Sequence, residues 1–149
     1  MKIEPMAKGH IAGIAALERA CFHAPWSENA LREELGNESN LFFTAVQDGE
    51  VVGYLGCQTV LDEGYITNVA VAPGHRRQGI ASALLVALQR GAAEKNLSFL
   101  TLEVRVSNEA AIALYEGFGY VPVGKRKNFY TDPTEDALLM TCYFNEQTE

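Results

Sequence analysis

A chain of 149 residues with 48% hydrophobic and 21% charged side chains has the make-up of one globular domain, residues 1–149, able to bury about 70% of its unfolded surface. Twelve Lys and Arg against nineteen Asp and Glu leave a formal charge of −7, which argues against nucleic-acid binding, because that needs a basic face to displace counterions. No apolar run approaches the ~18 residues of a membrane span, and the first residues, M-K-I-E-P-M-A-K-G-H, lack a signal-peptide core. A cytoplasmic location with no membrane partner is expected.

Lys2 to Pro5 reads as a short first strand. From Lys8 to Cys21, apolar residues at Ile11, Ile14, Ala15 and Leu17 form one helical face. F-H-A-P-W breaks that helix at Pro25. Ser27 is then a natural N-cap for a second helix, Glu28 to about Leu35. Trp26 either staples that helix entry or belongs to a loop that packs over a substrate. Leu41 to Val46 and Val51 to Val60 are β-rich runs separated by Q-D-G-E, a strong hairpin signal. Glu63 to Val71 is a third run, so an antiparallel meander is expected.

The stretch I-T-N-V-A-V-A-P-G-H-R-R-Q-G-I-A-S-A-L-L, from Ile66 to Leu85, is a buried strand, a tight loop at Pro73 to His75, and a helix opening at about Gln78 or Gly79. A helix start carries backbone N–H groups without intrahelical partners and a partial positive charge. With Arg76, Arg77 and the compact Gly79 beside it, the stretch reads as a phosphate cradle; two solvated arginines on a plain loop are the alternative. The helix should bury Ala81, Leu84, Leu85 and Leu88 and expose Gln89, Arg90, Glu94 and Lys95.

Ser98 to Val106 alternates Leu100, Leu102, Val104 and Val106 with Thr101, Glu103 and Arg105. A helix from Asn108 to Glu116 follows, capped by Ser107 or Asn108 and ended by G-F-G-Y. Val121 to Tyr130 and Ala137 to Phe144 close the fold, and the N-E-Q-T-E tail should fray. The order predicts an α/β fold with a mixed, mostly antiparallel sheet and helices on both sides. Cys21, Cys57 and Cys142, like His10, His23 and His75, are too scattered for a disulfide framework or a metal site; the cysteines read as small core residues.

Ligands in such sheets bind where strand ends diverge, which selects the ends at Val71 and Val106. A carboxylate in mid-strand, Glu103, is costly unless it is paired or reaches water. Its spacing leaves two readings open, an acid/base group and a salt bridge to a cross-strand cation. Tyr115 is a core aromatic or a proton donor, and Asn108 a cap or a ligand contact.

V-A-V at Val69 to Val71, R-R-Q-G-I-A at Arg76 to Ala81 and N-E-A-A-I-A-L-Y-E-G-F-G-Y at Asn108 to Tyr120 resemble, together, the GNAT acetyltransferase superfamily. A-P-W-S-E, L-E-V-R and N-F-Y followed by T-E-D-A-L-L-M resemble, within it, the ribosomal protein alanine N-acetyltransferases. That resemblance implies a GNAT-like fold splayed at the coenzyme site, acetyl-CoA as co-substrate, and no metal. It implies that Val69, Ala70 and Val71 bind the pantetheine arm with Asn108. Arg77, Gln78, Gly79, Ile80, Ala81 and Ser82 would hold the pyrophosphate. Glu103 would be general base and Tyr115 general acid, with Trp26 and Tyr130 as walls of the acceptor groove. The implied acceptor is the N-terminal tail of a basic ribosomal protein, which a charge of −7 would steer in. Other readings are an acetyltransferase for a small amine or lysine, and a non-catalytic acyl-CoA adaptor. A nucleotide-binding module is disfavoured, since neither a G-x-x-x-x-G-K-S/T nor a G-x-G-x-x-G motif is present.

Overall fold

In the computed structural model, which describes residues 1–144, the chain forms one seven-stranded sheet with two helices on each face. The strands are β1 (Lys2–Pro5), β2 (Leu41–Gln47), β3 (Glu50–Val60), β4 (Glu63–Val71), β5 (Phe99–Arg105), β6 (Val121–Tyr130) and β7 (Glu135–Tyr143). Their order across the sheet is β1-β2-β3-β4-β5-β7-β6. The helices are α1 (Ile11–Cys21), α2 (Glu28–Leu35), α3 (Ile80–Glu94) and α4 (Glu109–Gly117). The expected tail beyond Phe144 lies outside the described residues.

Local sequence explains most of the elements. Asp48 and Gly49 both take positive φ, 54° and 80°, as a tight hairpin between β2 and β3 demands. Ser27 caps α2 by accepting from the Ala30 amide, and Asn108 caps α4 by accepting from Ala111. Ser107 is not that cap; its own amide donates to Glu135 at 2.7 Å. Residues Lys8–His10 form a separate 3-10 turn before α1.

Alternation along the strands splits the core in two. Tyr54 joins Ile14, Leu17 and Leu31 beneath α1 and α2, while its neighbour Leu55 joins Leu84, Leu88, Leu100 and Met140 beneath α3 and α4. Each fully buried Leu is worth about 1.5–3 kcal/mol of transfer free energy. The start of α3 corrects one expectation. The helix begins at Ile80 rather than Gln78 or Gly79, and Ile80 is buried while Ala81 is only half-buried. Successive helical residues point about 100° apart, so Ile80 falls in the core row with Leu84 and Leu88 while Ala81, one position on, lies at the edge of the buried face. Gly53 allows this approach, because a Cβ there would meet Ile80 Cγ2 at 2.9 Å and the Ala70 carbonyl at 3.1 Å.

All strand pairings are antiparallel except β4 with β5, which is parallel and short. It joins only Glu63, Gly64 and Tyr65 to Phe99, Leu100 and Thr101. Beyond those residues β4 stays with β3 as far as Val71, and β5 stays with β7 as far as Arg105. The sheet therefore opens into a wedge. A bulge puts Ile66 opposite Cys57 and Asn68 opposite Gly56, leaving Thr67 as an extra residue at the point where β4 leaves β5. Bulges bend a strand and sharpen its twist.

Candidate active site

One cavity of about 980 Å³ fills the wedge, at the upper end of the range for cofactor-sized ligands. One wall is β4 from Thr67 to Val71, whose edge toward β5 has no ladder partner there. The opposite wall is Glu103, Val104 and Arg105 of β5 with Asn108, Ala111 and Tyr115 beyond it. The floor is the loop at His75, Arg76 and Arg77 and the first turn of α3, Gly79 to Ser82. Of the twelve residues expected to bind the ligand or act in catalysis, only Gln78 is not part of the lining.

The floor suits an anion. Arg77 and Gly79 take positive φ, 65° and 80°, which turns the loop sharply into α3. Whereas α2 and α4 carry side-chain caps, α3 begins at Gly79 with none. Its first turn lines the cavity with no side chain capping its amides, and the helix dipole adds a partial positive charge there. A Cβ on Gly79 would meet no atom within 4 Å, so it is the backbone conformation and not crowding that favours glycine there. Arg76 is partly committed, donating from Nε to the Val71 carbonyl at 3.3 Å.

Across the wedge stand the two titratable groups. Glu103 lies in the outward row of β5, with a side chain 31% exposed, and its Oε2 is 2.5 Å from Nε of Arg126 on β6. Both conditions that make a mid-strand carboxylate tolerable, a partner and contact with water, are thus met. Tyr115 is buried on α4, its ring 5.6 Å from that of Tyr120. Burial, with a smaller contribution from Tyr130, pushes its phenol up to about 12, so it stays protonated at any working pH. No hydrogen bond engages its hydroxyl among the described residues. Asn108 combines its cap with a place in the lining.

Two loops form the remaining rim. Phe22, His23 and Ala24 come from the segment between α1 and α2; Phe129, Tyr130 and Thr131 come from the end of β6. His23 and Asp132 meet at 3.1 Å between them. Arg105 ties the β6–β7 turn down: it donates to the Thr131 and Pro133 carbonyls at 3.2 and 3.0 Å, pairs with Glu135 at 3.1 Å, and lies 4.5 Å over the Tyr130 ring. Tyr130 thus reaches the cavity. Trp26 does not: it packs on Phe42 of β2 with centroids 6.2 Å apart. Cys21 is half-buried, packed at the margin of the core beneath α1 and also lining the cavity.

Sequence reasoning missed Glu18. This fully buried carboxylate accepts from the Trp26 amide at 2.9 Å, from Asn68 Nδ2 at 2.6 Å and from the Tyr54 hydroxyl. It joins α1, the α1–α2 loop, β3 and the β4 wall of the cavity. Burial, then the Glu18 hydrogen bond, drives the Tyr54 phenol far above its ordinary value. The available signal was its position four residues after Ile14, on the apolar face of α1.

Comparison with known proteins decides the family. Residues 11–120 match the Acetyltransferase (GNAT) family. The chain belongs to that family. It is an N-acetyltransferase by kinship. It is 40% identical over 126 residues to the [ribosomal protein bS18]-alanine N-acetyltransferase of Escherichia coli (strain K12), covering 83% of this chain and 84% of that one. The crystal structure of the Escherichia coli ribosomal-protein-S18-alanine N-acetyltransferase superposes with a TM-score of 0.87 at 34% identity, covering 99% and 98% of the two chains. A chain of the NatC complex bound to Gag peptide and CoA superposes with a TM-score of 0.81 at 25% identity, covering 97% and 99%. Among the described residues no helix is long and apolar enough to cross a membrane.

Proposed function

We propose that this GNAT domain, residues 1–149, transfers the acetyl group of acetyl-CoA to the α-amine of an N-terminal alanine on a ribosomal protein in the cytoplasm. The observation that carries the reading is the single wedge that brings an anion cradle at the start of α3 opposite Glu103 and Tyr115. The residues fit the coenzyme: the loop and first-turn amides from Arg77 to Ser82 would hold the pyrophosphate, and the open edge at Val69, Ala70 and Val71 would bind the pantetheine amides with Asn108. Bound there, acetyl-CoA supplies an activated thioester.

Glu103 takes a proton from the acceptor amine, directly or through water, because only the neutral amine attacks. An α-amine of pKa ~8 is neutral about a tenth of the time at pH 7, and lysine at ~10.4 almost never. That gap of about 2.5 units is worth roughly 3 kcal/mol, so an exposed carboxylate suffices for an N-terminus but serves a lysine poorly. Tyr115 donates toward the departing sulfur. Amides along β4 polarise the thioester carbonyl, and no covalent enzyme intermediate is formed. The surrounding −7 charge favours a basic tail as acceptor.

The test is coenzyme A release with a short peptide beginning Ala-Arg, run beside a free polyamine and an N-blocked lysine peptide. Turnover of the first alone is expected; turnover of either other acceptor instead overturns the α-amine assignment. Glu103→Gln should cut kcat strongly and leave acetyl-CoA affinity nearly intact, and an equal loss of both would make Glu103 structural.

A further inference from the structure

The cation paired with Glu103 has no part in the scheme above. It also comes from an unexpected place. Arg105 shares the outward row of β5 with Glu103, yet it is fully engaged by Glu135, the Thr131 and Pro133 carbonyls and the Tyr130 ring. Glu103 is met instead by Arg126, which lies two strands away. The row Arg105, Ala137, Arg126 crosses β5, β7 and β6, and the small Ala137 side chain leaves Arg126 room to reach diagonally to Glu103. Arg126 is held loosely. Its side chain is 58% exposed on an edge strand, and besides Glu103 its guanidinium has only the Phe129 ring near it among the described residues, 5.7 Å from the ring centre.

We propose that Arg126 competes with the ammonium group of the acceptor for the Glu103 carboxylate, so that it sets acceptor affinity and selects for acceptors that arrive as cations. This inference rests on the reading of Glu103 as the group that receives the acceptor amine. At neutral pH that amine arrives about nine-tenths protonated, and its natural counter-ion is the carboxylate whose Oε2 Arg126 already holds at 2.5 Å. One cation leaves as another enters, so the carboxylate keeps a partner throughout. An exposed ion pair is worth up to about 1 kcal/mol, which corresponds to about a fivefold change in a binding constant. The pair is therefore weak enough to be exchanged and strong enough to be measured.

Acceptor binding is measured by calorimetry on the enzyme saturated with coenzyme A, using an Ala-Arg peptide at low ionic strength. Arg126→Gln is expected to lower the peptide Kd by up to about fivefold, with coenzyme affinity and Tm unchanged. Arg126→Lys should restore the wild-type value. The N-acetylated form of the same peptide has no terminal charge to compete with, so its affinity should not respond to Arg126→Gln. In a Glu103→Gln background the effect of Arg126→Gln on the free peptide should vanish. A peptide Kd that is unchanged or weaker in Arg126→Gln overturns the proposal. So does an equal gain for the acetylated peptide, or a gain that persists without Glu103. The base assignment fails separately, through an undiminished kcat in Glu103→Gln, because these measurements read binding and not turnover.

Discussion

Replacing Tyr115 with Phe separates chemistry from packing with unusual clarity. The hydroxyl makes no hydrogen bond among the described residues, while the ring packs against Tyr120 at 5.6 Å, and Phe keeps that ring. Nothing is lost in the fold, so stability should change by less than about 0.5 kcal/mol. Proton donation is the only casualty. A phenol at about 12 facing a thiolate of ordinary pKa ~8.5 is mismatched by about 3.5 units, or about 5 kcal/mol uphill. In water the transfer would contribute little. Wherever water is excluded the thiolate rises as well, because burial disfavours the charged form, and the mismatch with Tyr115 narrows. Tyr115→Phe should lower kcat by roughly 10²-fold, the low end for general acid catalysis because a thiolate is already a fair leaving group. Since Tyr115 titrates near 12, no basic limb from it should appear in the wild-type pH–rate profile below about pH 10. Steady-state kinetics beside a thermal melt settle the matter. A kcat within twofold of wild type refutes the donor role, and a kcat loss matched by a fall of several degrees in Tm refutes the separation.

Three other outcomes follow from the geometry. Gly79→Val forces a β-branched residue into the left-handed region at φ 80°, costing about 1–2 kcal/mol and placing methyls in the cradle. Its coenzyme A Kd should rise, and an unchanged Kd would remove the loop from the site. Glu18→Leu strands the Tyr54 hydroxyl, the Asn68 amide and the Trp26 N–H without their acceptor, which should cost about 3–5 kcal/mol in urea denaturation. A loss under about 1 kcal/mol would mean the buried carboxylate holds nothing together. Glu135 is held below the usual carboxylate range, chiefly by hydrogen bonds from Ser107 and then Arg105, against the opposing effect of desolvation. Its contribution to anchoring the β6–β7 turn is therefore complete above about pH 4.5 and is lost as pH falls through its lower folded value. The Ser107 amide resonance should report this in an NMR titration, and a midpoint at or above 4.5 would contradict it.

The resemblance carried by three spaced motifs pointed to the right family, and the comparisons bear it out. The roles assigned to individual residues rest on that resemblance and on the cavity, and the experiments above decide them. Arg126 and Glu18 went unremarked in the sequence for different reasons. Arg126 is one of three adjacent basic residues on an exposed strand, K-R-K at Lys125 to Lys127, and nothing local marks which of them crosses to Glu103. Glu18 sits where a helical-face argument would place an apolar side chain, and its donors come from positions 8, 36 and 50 residues away.

By itself the sequence determined what depends on neighbours along the chain. The period of the apolar residues gave α1 and β5 their inward faces; Asp48-Gly49 made the hairpin; Ser27 and Asn108 capped their helices; Gly79 marked a backbone that an L-residue adopts only at a cost. The tertiary structure decided what depends on residues far apart. It inserted β7 between β5 and β6, ended the β4–β5 ladder after three residue pairs, turned Trp26 onto Phe42 and Arg126 onto Glu103. Those outcomes are set by strand pairing and by the space that packing leaves, and both are sums over the whole sheet that no local pattern contains.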